Sequence, residues 1–285
     1  TDVTTSVAGL HVPSFALWAS LYGRCLRIAI SNGFCFAGNA ALFGSADIRI
    51  ATKNSWIGMA GPAMIEGGGL GKFDPKEIGP TDVQKNNGVI DYVAENEKDA
   101  TNIAKKILSY FQGEIKDWKA DDQTKLSDIM PKDRRWSYPV RDIIKIISDI
   151  EQFTEIRPEY GKGIVSCFIR IEGKPFGLLA NDSQHLGGAI DSEGADKASS
   201  FIEICSEYGL PIISLVDTPG FMVGPDSEKE GAVRRMSNLF KIGSKVKVPL
   251  TAIFLRKVYG LGAQAMVGGS LHEPVYTAAW PTGEF

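Results

Sequence analysis

Apolar runs of strand length alternate along this chain with stretches in which apolar residues recur at helical spacing. Two of the runs end in turns of small residues that open a further helix. Ile28-Ala29-Ile30-Ser31-Asn32-Gly33 leads into Cys35-Phe36-Ala37-Gly38-Asn39-Ala40-Ala41, and Leu250-Thr251-Ala252-Ile253-Phe254-Leu255 leads through Arg256-Lys257-Val258-Tyr259 into Gly260-Leu261-Gly262-Ala263-Gln264-Ala265. Further strands are predicted at 47–51, 89–93 and 211–216, the last a continuous apolar run like those of buried parallel strands. Runs at 163–171 and 175–180 about Glu172-Gly173-Lys174 predict a hairpin. Helix faces are predicted for Phe15, Trp18, Leu21, Tyr22, Cys25 and Leu26, and for Ile103, Ile107, Leu108 and Phe111 behind an Asn96 cap. Others follow at Val140, Ile143, Ile144 and Ile147, at Ala198, Phe201, Ile202, Cys205 and Tyr208, and at Val233, Met236, Leu239 and Phe240. Glycine-rich loops are expected over 57–71 and 185–189. Such alternation is an α/β fold with helices on the sheet faces. The polar stretch 117–139 breaks the periodicity and is the expected boundary between domains 1–139 and 140–285.

The two turns carry the first chemical signal. A helix start leaves backbone N–H groups without intrahelical partners, and Gly and Ala let a ligand oxygen approach them. Such a turn binds a phosphate or holds the oxyanion of a polarised carbonyl. Two copies suggest similar halves facing two carbonyl ligands.

Composition narrows the classes. A chain of 285 residues with 44% hydrophobic content can build a full core. Its formal charge of −3 argues against a general nucleic-acid binder. No apolar run approaches the ~20 residues of a membrane span. Cys25, Cys35, Cys167 and Cys205 lie in apolar segments without metal-ligand spacing and read as reduced core thiols, which suits a cytoplasmic protein. The dense charges of 116–135 read as a solvated connection. Neither end resembles a domain boundary, so the chain reads as a segment of a longer polypeptide, truncated at both ends.

Several motifs are set aside. Asp217-Thr218-Pro219-Gly220 matches the DxxG of a GTPase, but Gly71-Lys72 has Glu66 and Phe73 where a phosphate loop needs Gly and Ser or Thr. Gly260-Leu261-Gly262-Ala263-Gln264-Ala265 fits a dinucleotide fingerprint, yet it lies too late in the chain for the ribose-binding acid to be judged. His11, His185 and His272 share no ligand spacing, no metal site is expected, and no G-x-S-x-G elbow is present. His185 stands out because it adjoins Gly187-Gly188. Scarce side-chain catalysts beside glycine-opened helices point to catalysis by backbone oxyanion stabilisation.

The sequence resembles the carboxyltransferase component, of β-subunit type, of biotin-dependent acyl-CoA carboxylases in the crotonase superfamily. The matching stretches run in family order: Gly33-Phe34-Cys35-Phe36-Ala37-Gly38-Asn39-Ala40, then 57–62, Leu178-Leu179-Ala180-Asn181-Asp182, Gly187-Gly188-Ala189-Ile190-Asp191, Val216-Asp217-Thr218-Pro219-Gly220-Phe221, Arg256-Lys257-Val258-Tyr259-Gly260 and Ala279-Trp280-Pro281-Thr282-Gly283-Glu284. The resemblance implies two crotonase-like β/α domains in tandem, the first binding acyl-CoA and the second carboxybiotin. It implies that Ala37 and Gly38 hold the thioester oxygen, with Gly33, Gly58, Gly61 and Pro62 lining the acyl-CoA site. Leu261 and Gly262 are implied to hold the biotin carbonyl, among Gly187, Gly188, Ala189, Gly220, Phe221, Tyr259 and Gly260. The implied reaction moves the carboxyl group from carboxybiotin to the α carbon of an acetyl- or propionyl-type acyl-CoA, through a thioester enolate. A biotin carboxyl carrier protein, a biotin carboxylase and further copies of the chain are the implied partners. In the implied assembly the flank Met266, Val267, Tyr276 and Trp280 lies partly in an interface. Two positions depart from the family pattern, Leu261 in place of a common Gly and Asn39 beside the first turn. A biotin-dependent decarboxylase subunit, a non-biotin crotonase (hydratase or isomerase) and an inactive assembly segment stand as alternatives.

Overall fold

The computed structural model describes residues 12–285. The chain divides into two compact units, Thr1–Lys105 and Lys106–Phe285. In the first, α1 (Ser14–Ala19) precedes β1 (Ile28–Phe36), α2 (Gly38–Gly44), β2 (Ile48–Gly58), α3 (Pro62–Gly67), α4 (Thr81–Gln84), β3 (Tyr92–Ala94) and α5 (Glu97–Tyr110), which runs on past the division. The three strands form one parallel sheet in the order β1-β2-β3. Its core gathers Ala40, Phe43, Ala51, Ile57 and Ile90.

Both β1 and β2 outrun their predicted lengths. Gly33 sits at φ 93° where the register between them slips, so the pairing passes through a bulge instead of ending there. The stretch expected to be loop from residue 57 contains the end of β2 and α3, whose first position is Pro62. Asn96 caps α5 as expected, its Oδ1 accepting the Asp99 N–H at 3.0 Å. The apolar face predicted around α1 is not a core face, since Phe15, Leu21, Tyr22 and Cys25 are exposed. Leu108 of α5 is likewise exposed.

The second unit holds α6 (Val140–Ile147), β4 (Phe153–Ile156), β5 (Ile164–Ile171), β6 (Lys174–Asn181), α7 (Ser192–Glu207), β7 (Ile212–Thr218), α8 (Pro225–Lys229), α9 (Ala232–Gly243), β8 (Leu250–Val258), α10 (Gly260–Met266) and β9 (Tyr276–Ala279). Its sheet has the order β4-β5-β6-β7-β8-β9. The predicted β5–β6 hairpin is antiparallel and pairs Ile171 with Lys174, while β6 to β9 run parallel. Residues 117–139 contain a single 3-10 segment, Gln123–Asp128. Leu126, Ile129 and Met130 pack against the core of Val140, Ile144, Val165, Leu178 and Leu215.

Three expectations about burial are corrected here. Val233 is 69% exposed, and α9 turns Ala232, Met236 and Leu239 inward instead. Met266 and Val267 are fully buried within the unit, so neither is available to an interface. Of the four cysteines only Cys167 and Cys205 are core thiols; Cys35 is half-buried and Cys25 exposed. Among the described residues no helix is long and apolar enough to cross a membrane.

Candidate functional site

In a parallel sheet the strands deliver their following loops to one edge, and ligands bind beyond those carboxyl ends. In the second unit β6, β7 and β8 deliver three segments there: 186–190, 217–221 and 256–262. Fully buried Asp217 joins two of them. Its Oδ1 accepts the Lys257 N–H at 3.0 Å, and Arg256 Nη2 stands 3.1 Å from its Oδ2. Arg256 also donates to the Arg134 and Trp136 carbonyls at 2.9 and 2.7 Å and lies over the Tyr138 ring. Burial, with Asp217 next in weight, pushes the Tyr138 phenol well up.

Close backbone contact joins the rest. A Cβ on Gly188 would meet the Asp217 carbonyl oxygen at 2.3 Å, and one on Gly262 would lie 2.6 Å from the Gly220 carbonyl carbon. Ile190 donates to Gly220 O at 3.0 Å, and Met222 donates to Ile190 O at 2.8 Å, on either side of Phe221. Tyr259, before α10, donates its N–H to Thr218 O at 3.2 Å and its hydroxyl to Glu284 at 2.7 Å. Hydrogen bonds from Tyr259 and then Arg134 hold the Glu284 carboxyl below its ordinary range. Gly260 takes φ 59° with nothing within 4 Å of a Cβ placed on it, and the Leu261 side chain is 62% exposed. The start of α10 thus has open space at Gly260, and helix geometry gives its first N–H groups no intrahelical acceptor.

The first unit builds its turn differently. Ala37, between β1 and α2, adopts φ 54° and ψ −122°, strained backbone for a residue with a Cβ. Its N–H donates to Gly58 O at 3.1 Å, so that donor is already engaged. Gly38 opens α2, with the Phe15 ring 3.0 Å from where a Cβ would be. Gly61 caps α3 ahead of Pro62 and packs on the Phe36 ring, 3.3 Å from its would-be Cβ. Ala37, Gly38, Gly58, Gly61 and Pro62 are thus joined about Phe36 and the end of β1, while Gly33 lies back along β1, paired with Ser55.

Neither described histidine contacts the residues of the two turns. His185 Nε2 pairs with Asp191 Oδ2 at 3.0 Å, while Asp191 Oδ1 caps α7 through the Gly194 N–H at 2.7 Å. His272 is exposed, and His11 lies outside the described residues. Periodicity did not single out Asp217 and Arg256. The available signal was an acid ending the apolar run of β7 and an arginine inside that of β8, since buried charges require partners.

The chain matches the carboxyl transferase domain family over residues 10–285. It belongs to that family. It is 32% identical over 267 residues to the biotin-dependent acetyl-/propionyl-coenzyme A carboxylase beta6 subunit of Mycobacterium bovis, covering 92% of this chain and 56% of that one. Among solved structures, a single-chain, multi-domain long-chain acyl-CoA carboxylase superposes with a TM-score of 0.95 and 52% identity, over 100% of this chain and 29% of that one. The transcarboxylase 12S hexamer, solved with methylmalonyl-CoA and methylmalonic acid bound, superposes with a TM-score of 0.86 and 30% identity, over 99% and 56%. This carboxyl transferase domain spans about half the length of the curated relatives it matches. Its fold is the tandem crotonase-like fold of those carboxyltransferases.

Proposed function

We propose that the chain is the carboxyltransferase part of a biotin-dependent acyl-CoA carboxylase, with the acyl-CoA site in its first unit and the biotin site in its second. The observation that carries this is the start of α10, where N–H groups without intrahelical acceptors follow Gly260, around which there is open space. The residues fit a flat ring with a carbonyl: Gly187, Gly220 and Gly260 leave room, and neutral N–H donors at Leu261 and Gly262 suit an oxygen that gains negative charge. Carboxybiotin, when bound, supplies the carboxyl group. Gly188, Ala189, Phe221 and Tyr259 complete that bed.

In the acyl-CoA domain Gly38 donates to the thioester oxygen. Ala37, its own N–H held by Gly58, keeps the turn in the geometry that presents Gly38. Gly33, Gly61 and Pro62 line the same site. Donors at both oxygens lower the cost of an enolate without a protein base, in keeping with a His185 imidazole already engaged by Asp191. The named relatives bear short- and long-chain substrates in their names, and the proposal is for an acyl-CoA of that class. A biotin carboxyl carrier protein, a biotin carboxylase and at least a second copy of the chain complete a cytoplasmic assembly.

The test incubates the intact protein with free biotin and malonyl- or methylmalonyl-CoA carrying an isotopically labelled carboxyl group. Mass spectrometry then follows the label, and its appearance in carboxybiotin is expected. Hydration or isomerisation of an enoyl-CoA with no movement of label would contradict the proposal and favour a simple crotonase.

A further inference from the structure

We infer that the Lys257 ammonium is a positioning group for the second turn: by holding the Gly187 carbonyl it straps the 186–188 segment to the end of β8 and sets the width of the glycine surface in front of α10. The inference rests on reading that surface as the biotin site.

Three observations support it. The strap begins at a fixed point, because the Lys257 N–H is held at 3.0 Å by Asp217, itself buried and paired with Arg256. It ends on a single 3-10 turn, Leu186–Gly188, whose own closure is short, with Gly188 donating to His185 O at 2.9 Å and Ala189 to Leu186 O at 3.2 Å. Leu186, Gly187 and Gly188 all have positive φ, at 47°, 64° and 91°, a conformation that is unfavourable for Leu186 because it carries a Cβ. Lys257 Nζ donates to Gly187 O, drawing this turn toward the strand that leads into α10. Finally, the side chain is only half exposed. A lysine at a sheet end ordinarily extends its ammonium into water. Here burial lowers the Lys257 pKa, an effect that Asp217 counters, so the contact is maintained at some cost in solvation.

Leu186 is itself 49% exposed, and with Met222 and Val223 it lines a pocket of about 540 Å³ beside the turn. Loosening the strap therefore frees the Gly187 carbonyl and, beside it, Leu186 on the wall of that pocket.

The experiment compares Lys257→Met, which keeps the stem and removes the ammonium, with Lys257→Arg, which keeps charge and donors. Three quantities are read on the intact protein: calorimetric affinity for free biotin, KM for acyl-CoA, and amide hydrogen exchange across 186–190. Lys257→Met should weaken biotin binding about tenfold, the scale of one charged hydrogen bond. Exchange at Gly188 and Ala189 should quicken, acyl-CoA KM should stay within about twofold, and Lys257→Arg should recover most of the loss. Wild-type biotin affinity and exchange in Lys257→Met overturn the inference. So does a parallel loss of biotin and acyl-CoA affinity that Arg does not rescue, which marks a general structural role. A wild-type protein that neither binds free biotin nor transfers label overturns the site reading, and the inference with it.

Discussion

Lys197, a residue outside both turns, ties its own ionisation to the stability of the second unit. It is 1% exposed on α7, and its ammonium donates to the Arg157 carbonyl at 2.8 Å. Burial pushes its pKa down to about 7; Glu155 opposes the shift, and Arg141 and Arg157 add to it. The folded value thus lies below that of the unfolded chain, roughly 10.4. Below pH 7 both states hold the proton and the folded state bears the full cost of a buried charge. Between pH 7 and 10 the folded state releases the proton while the unfolded chain keeps it, so stability rises. Lys197→Met should be more stable at pH 6 by roughly 1–4 kcal/mol and should lose this rise. Denaturant midpoints of both proteins at pH 6 and pH 9 check it. An identical pH slope in the two would contradict the assignment.

At the scale of elements, both turns join a strand to a helix, but they accommodate the sharp bend differently. Ala37 carries the unusual backbone itself, whereas in the second turn Gly260 absorbs it. Gly262 is required for another reason: its would-be Cβ lies 2.6 and 2.8 Å from Gly220 backbone atoms, which cannot swing aside as a flexible side chain would. Gly262→Ala should therefore lower stability by about 1–3 kcal/mol, and Val by more, whatever happens to transfer. Thermal melting reads this directly, and a variant that melts with the wild type would remove the packing argument. These turns were legible in the sequence because small residues after an apolar run have few other uses. The α5 cap and the β5–β6 hairpin were legible for the same local reasons. β4 and β9 were not, since each has four residues and β9 is mostly exposed, leaving little alternation to detect. Val233 was misplaced because Ala232 and Val233 stand four and three residues before Met236, and helical spacing alone does not choose between them. The partnership of Asp217 with Arg256 depends on how β7 registers with β8, which no local pattern contains.

Among the described residues, each unit carries its own sheet, of three and six strands, with a glycine turn on each. The central claim is that backbone N–H groups at the start of α10 hold the charge that develops in carboxyl transfer. Trimming a side chain cannot remove such a donor, but proline can. Leu261 is the second residue of α10, in the first turn, where proline is tolerated, and Gly260 before it lies outside the right-handed helical region that a following proline disfavours. The decisive measurement is the rate of label transfer by intact Leu261→Pro beside Leu261→Ala, with CoA-thioester affinity and melting temperature read on the same samples. The account predicts a loss of about 10²–10³-fold in Leu261→Pro, near wild-type transfer in Leu261→Ala, and little change in affinity or melting for either. Transfer at the wild-type rate by a folded Leu261→Pro would contradict it.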